Sequence, residues 1–212
     1  MPVKLIIFDL DGTLVDTSQD ITDALNYALR PYGLKNFTVS DIIGMVGEGI
    51  SSLVEKILSP EKAHLKDEVI KRFLEYYSEH LTDHSREYPN VREILEKLAG
   101  FKKAVISNKR ESLSKRLLIE LDLSVYFDLV VGSDTAGEKK PSAIPVLYVL
   151  SKLGISPREA LFVGDSNYDI EAGKKAGVKT VAVTYGYRPK IVLKDASYMI
   201  DNLKELIPLL YE

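Results

Sequence analysis

Asp9-Leu10-Asp11-Gly12-Thr13 sets two carboxylates two residues apart, with a glycine and a hydroxyl directly behind them. Three other segments carry groups able to join them: Ser107-Asn108, Lys139-Lys140-Pro141 and Gly164-Asp165-Ser166-Asn167-Tyr168-Asp169. Carboxylates gathered in one place repel and raise one another's pKa, and a bound divalent cation relieves this. The chain has no cysteine, so no thiolate is available. An all-oxygen site points to Mg²⁺ rather than zinc. Asp9 and Asp165 are the natural carboxylate ligands. Gly12 permits a sharp turn that could bring the Asp11 carbonyl to the same ion. Lys140 and Ser107 would bind phosphoryl oxygens opposite the metal. The set suits phosphoryl transfer, where positioning and charge stabilisation supply most of the catalysis.

These segments meet only if the fold brings them together, and the patterning says how. Short apolar runs at 3–8, 104–107, 129–131, 160–163 and 180–184 each end in a Gly, Asp, Ser or Asn cluster, as buried strands do. Helical periodicity fills 91–98, 111–121, 144–153 and 170–176, and an amphipathic stretch at 203–210 closes the chain. Alternating strands and helices predict an α/β fold, a doubly wound parallel sheet of Rossmann-like form. Ligands in such sheets bind outside the carboxyl ends of the strands, where all four segments above would lie. The first connection breaks the rhythm, because no strand follows residue 8 until about Lys103. The intervening stretch is helical in period (Ile21, Leu25, Leu29; Leu53, Ile57; Val69, Phe73, Tyr77). We therefore expect a core at 1–15 and 83–212, with an inserted all-helical cap at 16–82. Its hinges are expected at 15–18 and 83–90.

Composition narrows the function class. With 45% hydrophobic and 28% charged residues the chain reads as globular rather than disordered. A net charge of −3 offers no basic surplus for nucleic acid or anionic membranes. The apolar runs are far too short for a membrane span, and the start of the chain carries no signal-peptide pattern. A cytoplasmic enzyme, monomer or homodimer, acting on a small phosphorylated metabolite is expected. Gln19 is the only glutamine and cysteine is absent, a depletion of thermolabile residues seen in thermophile proteins.

The motifs together resemble the haloacid dehalogenase-like hydrolase superfamily over essentially the whole chain. Asp9–Thr13 is similar to its first motif, Ser107 to its second, Lys140-Pro141 to its third and Gly164–Asp169 to its fourth. The run from Gly164 to Gly177, with Val46-Gly47-Glu48-Gly49 and Thr184-Tyr185-Gly186-Tyr187, resembles the phosphoglycolate phosphatase-like branch. The chain departs in carrying Ala143 where the pattern usually has a second proline. The resemblance implies that Asp9 attacks phosphorus to form an aspartyl-phosphate and that Asp11 serves as general acid and then base. It implies Mg²⁺ held by Asp9, the Asp11 carbonyl and Asp165, with Asp169 supporting that shell. Gly12, Thr13, Ser107, Asn108 and Lys140 are the implied phosphate-binding set, Lys140 being chosen over Lys139 because it precedes Pro141 directly.

Other features have plainer readings. Ser107, Asn108 and Ser166 precede helices and suit caps. His80 and His84 stand four apart without a third ligand, and Tyr76 and Tyr77 read as cap packing. Gly47-Glu48-Gly49 reads as a tight turn opening a helix near Ile50; it is also the expected docking point for a substrate carboxylate. A phosphomutase, pyrophosphatase or nucleotide phosphatase would use the same scaffold. So would a catalytically dead phosphate-binding relative, although retention of every acid, the hydroxyl and the lysine argues against it. A receiver domain would instead place its reactive Asp after a later strand, without the insertion.

Overall fold

The computed structural model describes residues 2–211. Strand β1 (Leu5–Phe8) has all four side chains buried, as a central strand covered on both faces requires. It is followed by β2 (Val15–Asp16), α1 (Ser18–Leu29), α2 (Val39–Ile42), α3 (Ile50–Ile57), α4 (Lys66–Glu79) and β3 (Arg86–Glu87). Then come α5 (Val91–Lys97), β4 (Lys102–Ile106), α6 (Glu111–Glu120), β5 (Leu129–Val131), α7 (Ile144–Leu153) and β6 (Ala160–Gly164). The chain ends with α8 (Asn167–Lys175), β7 (Lys179–Val183), α9 (Lys190–Leu193), β8 (Tyr198–Ile200) and α10 (Leu206–Leu209).

Six strands form one sheet in the order β5-β4-β1-β6-β7-β8, and every pairing is parallel. From β1 the chain leads towards β4, whereas from β6 it leads away to β7. The carboxyl ends of β1 and β6 thus flank the switch point where such sheets bind ligands. Alternate side chains of β1 serve opposite faces: Ile6 and Phe8 join a cluster with Ile94, Leu117 and Leu206, and Leu5 and Ile7 one with Val146, Val149 and Ala172. Helices therefore cover both sides, as the apolar strands predict.

The sheet has one strand more than the patterning gave. β8 is a three-residue edge strand with Met199 exposed, so it lacks the continuous apolar run that marks its neighbours. A two-stranded antiparallel ribbon, β2 with β3, also escaped the reading, because two-residue strands leave no periodicity. Helices α1 to α4 lie between the two arms of this ribbon. Ile21, Leu25 and Leu29 of α1 are buried with Val69, Phe73 and Tyr77 of α4 in the cluster that also contains Phe8 and Leu14. The returning arm is fastened by the buried carboxylate of Asp20, which accepts hydrogen bonds from the Ser85 N–H at 2.8 Å and its hydroxyl at 2.6 Å. His80 and His84 face different acids, Asp83 and Asp23. Among the described residues no helix is long and apolar enough to cross a membrane.

Candidate active site

Asp9 and Asp11 leave the end of β1 for different partners. Asp9 is buried and its Oδ1 accepts from the Lys140 ammonium at 2.6 Å. Lys140 Nζ also donates to Asp169 Oδ1 at 2.6 Å and to the Ile106 carbonyl at 2.9 Å, which uses its three N–H groups. Asp169 sits in the first turn of α8. Its Oδ2 accepts from the Ser166 N–H at 3.0 Å and hydroxyl at 2.6 Å, a capping box that locks its rotamer. Asp165, at the end of β6, accepts the Tyr187 N–H at 2.6 Å. Gly12, at φ +87°, and Gly186 press against its carboxylate; a Cβ on Gly186 would overlap Asp165 and the Gly12 carbonyl.

Carboxylate oxygens of Asp9, Asp165 and Asp169 lie within 4.8 Å of one another, and all three residues are buried. Burial, then the charge of Asp169, pushes the Asp9 carboxyl well above the usual range, with Lys140 opposing. Burial and Asp169 push Asp165 up to about 7. Burial on its own would lower the Lys140 pKa, but the charges of Asp169 and Asp9 outweigh it and hold it raised. Three clustered carboxylates thus share one ammonium. An all-oxygen donor set in that charge imbalance fits a hard divalent cation.

The Asp11 carboxylate points elsewhere. It accepts from the Thr17 hydroxyl at 2.6 Å, Lys109 Nζ at 2.5 Å and the Ser107 hydroxyl at 3.4 Å. Lys109 also donates to the Tyr77 hydroxyl of α4 at 2.8 Å. The charge of Asp11 holds Lys109 cationic in spite of its burial, and burial pushes Tyr77 up to about 12. Both acids open onto a cavity of about 310 Å³, whose far wall is Ile50, Leu53, Phe73, Leu74 and Tyr77 from the inserted helices. Thr13 Oγ1, beside Gly12, is buried without a partner.

Two expected site segments have partners that the sequence did not show. The Asn108 amide donates to the Gly47 carbonyl at 2.8 Å and the Lys140 carbonyl at 3.0 Å, while its oxygen accepts the Lys140 N–H at 2.9 Å. Its side chain therefore positions Lys140 and ties it to the Gly47 carbonyl, a contact beyond the phosphate-binding role that the resemblance implies. The Gly47–Gly49 turn does open α3, with Gly49 at φ +87°. Its carbonyls, however, accept from Asn108 and from Lys139 (2.6 Å), and the Glu48 carboxylate is held by Tyr168 and Lys56. With Arg188 donating to the carbonyls of Ile43 (3.1 Å) and Val46 (2.5 Å), the turn is a latch between inserted helices and core. These contacts engage carbonyls and the Glu48 carboxylate, not the backbone N–H groups of the turn expected to meet a substrate carboxylate. Lys109, Tyr77 and Arg188 were missed. Lys109 had a signal, since it directly follows Ser107-Asn108 at a strand end; Tyr77 had none beyond its helical spacing from Phe73.

The model of the family described as haloacid dehalogenase-like hydrolase matches residues 6–183. The chain belongs to that family. It is 46% identical to a phosphoglycolate phosphatase of Aquifex aeolicus over 187 residues, 87% of this chain and 86% of that protein. It is 39% identical to one of Chromobacterium violaceum, over 98% of this chain and 96% of that protein. A crystal structure described as a predicted phosphoglycolate phosphatase from Haemophilus somnus superposes with a TM-score of 0.89 at 31% identity, covering 98% of this chain and 97% of that one. As a haloacid dehalogenase-like hydrolase, the chain keeps its buried acids on the sheet and its apolar cavity wall on the insertion.

Proposed function

We propose that the chain is a phosphomonoester hydrolase working through a phosphorylated Asp9, with 2-phosphoglycolate as its substrate and Mg²⁺ as its cation. The observation that carries this is the division of labour at the end of β1: Asp9 faces a lysine and two acids, and Asp11 stands apart on the cavity. The relatives named phosphoglycolate phosphatase support the substrate. In this reading residues 1–15 and 83–212 are the catalytic core and 16–82 the cap.

Asp9 attacks phosphorus as the bond to the ester oxygen breaks, and Asp11 delivers a proton to that oxygen so that glycolate leaves. Asp11 then takes a proton from water, which attacks the aspartyl-phosphate, frees inorganic phosphate and restores Asp9. Lys140 fixes the attacking carboxylate, and Asn108 and Asp169 fix Lys140. Asp9, Asp165 and the Asp11 carbonyl would hold Mg²⁺, with Asp169 behind them. When bound, the cation neutralises charge on the phosphoryl oxygens. The apolar wall excludes water while the phosphoryl group moves.

Phosphate release should be measured on 2-phosphoglycolate and on 2-hydroxyethyl phosphate, which has the same length and an uncharged tail. We expect kcat/KM about ten- to a hundredfold higher for phosphoglycolate, the value of one or two hydrogen bonds to a charged group. Equal turnover would overturn the substrate; no release from any monoester would overturn the phosphatase reading.

The cation should also compete with protons. Asp165 titrates near 7 in the folded protein and near 4 when unfolded, so without a cation the folded state binds the extra proton between those values. From that group, stability falls as pH rises from about 4 to 7. A cation offsets this loss only where the carboxylate is ionised. The rise in Tm on adding Mg²⁺ should therefore be full at pH 8 and shrink as pH falls through 7. An equal rise at pH 5.5 and 8 would remove Asp165 from the cation site.

A further inference from the structure

We propose that Lys109 and Tyr77 form the subsite that receives the substrate's carboxylate, an assignment that rests on the phosphoglycolate reading above. The first argument is reach. One methylene joins the ester oxygen to the carboxyl carbon, so a carboxylate oxygen lies about 3 Å from the ester oxygen by ordinary bond lengths. The group that binds it must stand within one further hydrogen bond of the acid that protonates the ester oxygen. Lys109 Nζ, 2.5 Å from Asp11 and on the cavity wall, stands there.

The second argument is the inventory of donors. Lys140 has all three N–H groups engaged. Arg188 is turned onto the Ile43 and Val46 carbonyls, and Lys139 onto the Glu48 carbonyl and Ser52. Arg110 also lines the cavity but is exposed, whereas Lys109 is fixed beside Asp11. Lys109 has two partners among the described residues, Asp11 and the Tyr77 hydroxyl, which leaves one N–H. The Tyr77 hydroxyl accepts from Lys109 and so keeps its own proton to donate. An ammonium proton and a phenol proton side by side match the two oxygens of a carboxylate.

The third argument is what surrounds them. Ile50, Leu53, Phe73 and Leu74 offer a charge nothing, and an unpaired carboxylate against them would be strongly disfavoured. Lys109 follows β4 on the core, whereas Tyr77 comes from α4 of the insertion. The pair is complete only when the two are closed on each other, so substrate choice and closure are set by one contact.

The test compares kcat/KM for 2-phosphoglycolate and 2-hydroxyethyl phosphate in the wild type, Lys109→Met, Lys109→Arg and Tyr77→Phe. We expect the preference for phosphoglycolate to fall about a hundredfold in Lys109→Met, mainly through KM, and about tenfold in Tyr77→Phe. Lys109→Arg should recover part of it. Lys109 also touches Asp11, and losing only that contact would depress both esters alike. An unchanged preference in Lys109→Met and Tyr77→Phe therefore overturns the subsite while leaving the substrate standing. A wild type with no preference overturns both. Should Lys109→Met not fold, Tyr77→Phe decides by the same ratio.

Discussion

Asp9→Asn is expected to lower phosphate release by at least about a thousandfold while leaving the metal-free protein no easier to melt. An amide cannot attack phosphorus as a carboxylate does, and no other acid at the end of β1 is held by Lys140. The stability half of the expectation comes from the charge balance. Burial and the Asp169 charge already push the Asp9 carboxyl upward, so ionising it works against the fold. The amide removes one of three crowded negative charges, and Lys140 keeps Asp169 and the Ile106 carbonyl. Reactive sites commonly trade stability for function in this way. The check is kcat on phosphoglycolate together with thermal melting in a chelator. Activity within tenfold of wild type would remove Asp9 as nucleophile. An inactive variant melting several degrees lower would show that Asp9 holds the fold and that its activity loss says nothing of chemistry.

The acids of this site were legible in the sequence because parallel strands put their carboxyl ends on one edge. Short buried runs followed by polar residues locate those ends without knowledge of the turns between them. The insertion was legible for a related reason, since a crossover from residue 8 to 102 is too long to be a loop. What stayed hidden needed a partner far along the chain. Asn108 reads as a phosphate ligand or a cap, and its hold on the carbonyls of Gly47 and Lys140 emerges only from the fold. Tyr77 repeats Phe73 one helical turn on, so its spacing speaks only of packing. The polar use of its hydroxyl depends on Lys109, 32 residues away. β8 was lost for want of length, three residues with an exposed methionine at the sheet edge.

Lys140→Met should do to stability the opposite of Asp9→Asn. The methionine fills similar volume but leaves Asp9 and Asp169 buried without their shared cation, beside Asp165. Removing one partner of a buried pair costs about 3–5 kcal/mol, because the other is left uncompensated. We expect a loss of that order in a chelator, with phosphate release abolished as well. Mg²⁺ should raise the Tm of this variant more than that of wild type, since the cation would be the only positive charge left among the three acids. The two changes should also couple. In Asp9→Asn combined with Lys140→Met one negative charge goes with the positive one, so the double variant should melt above Lys140→Met alone. A Lys140→Met protein as stable as wild type in a chelator would show that protons already neutralise the cluster. The three acids would then be carboxylic acids awaiting a cation rather than carboxylates held by a lysine.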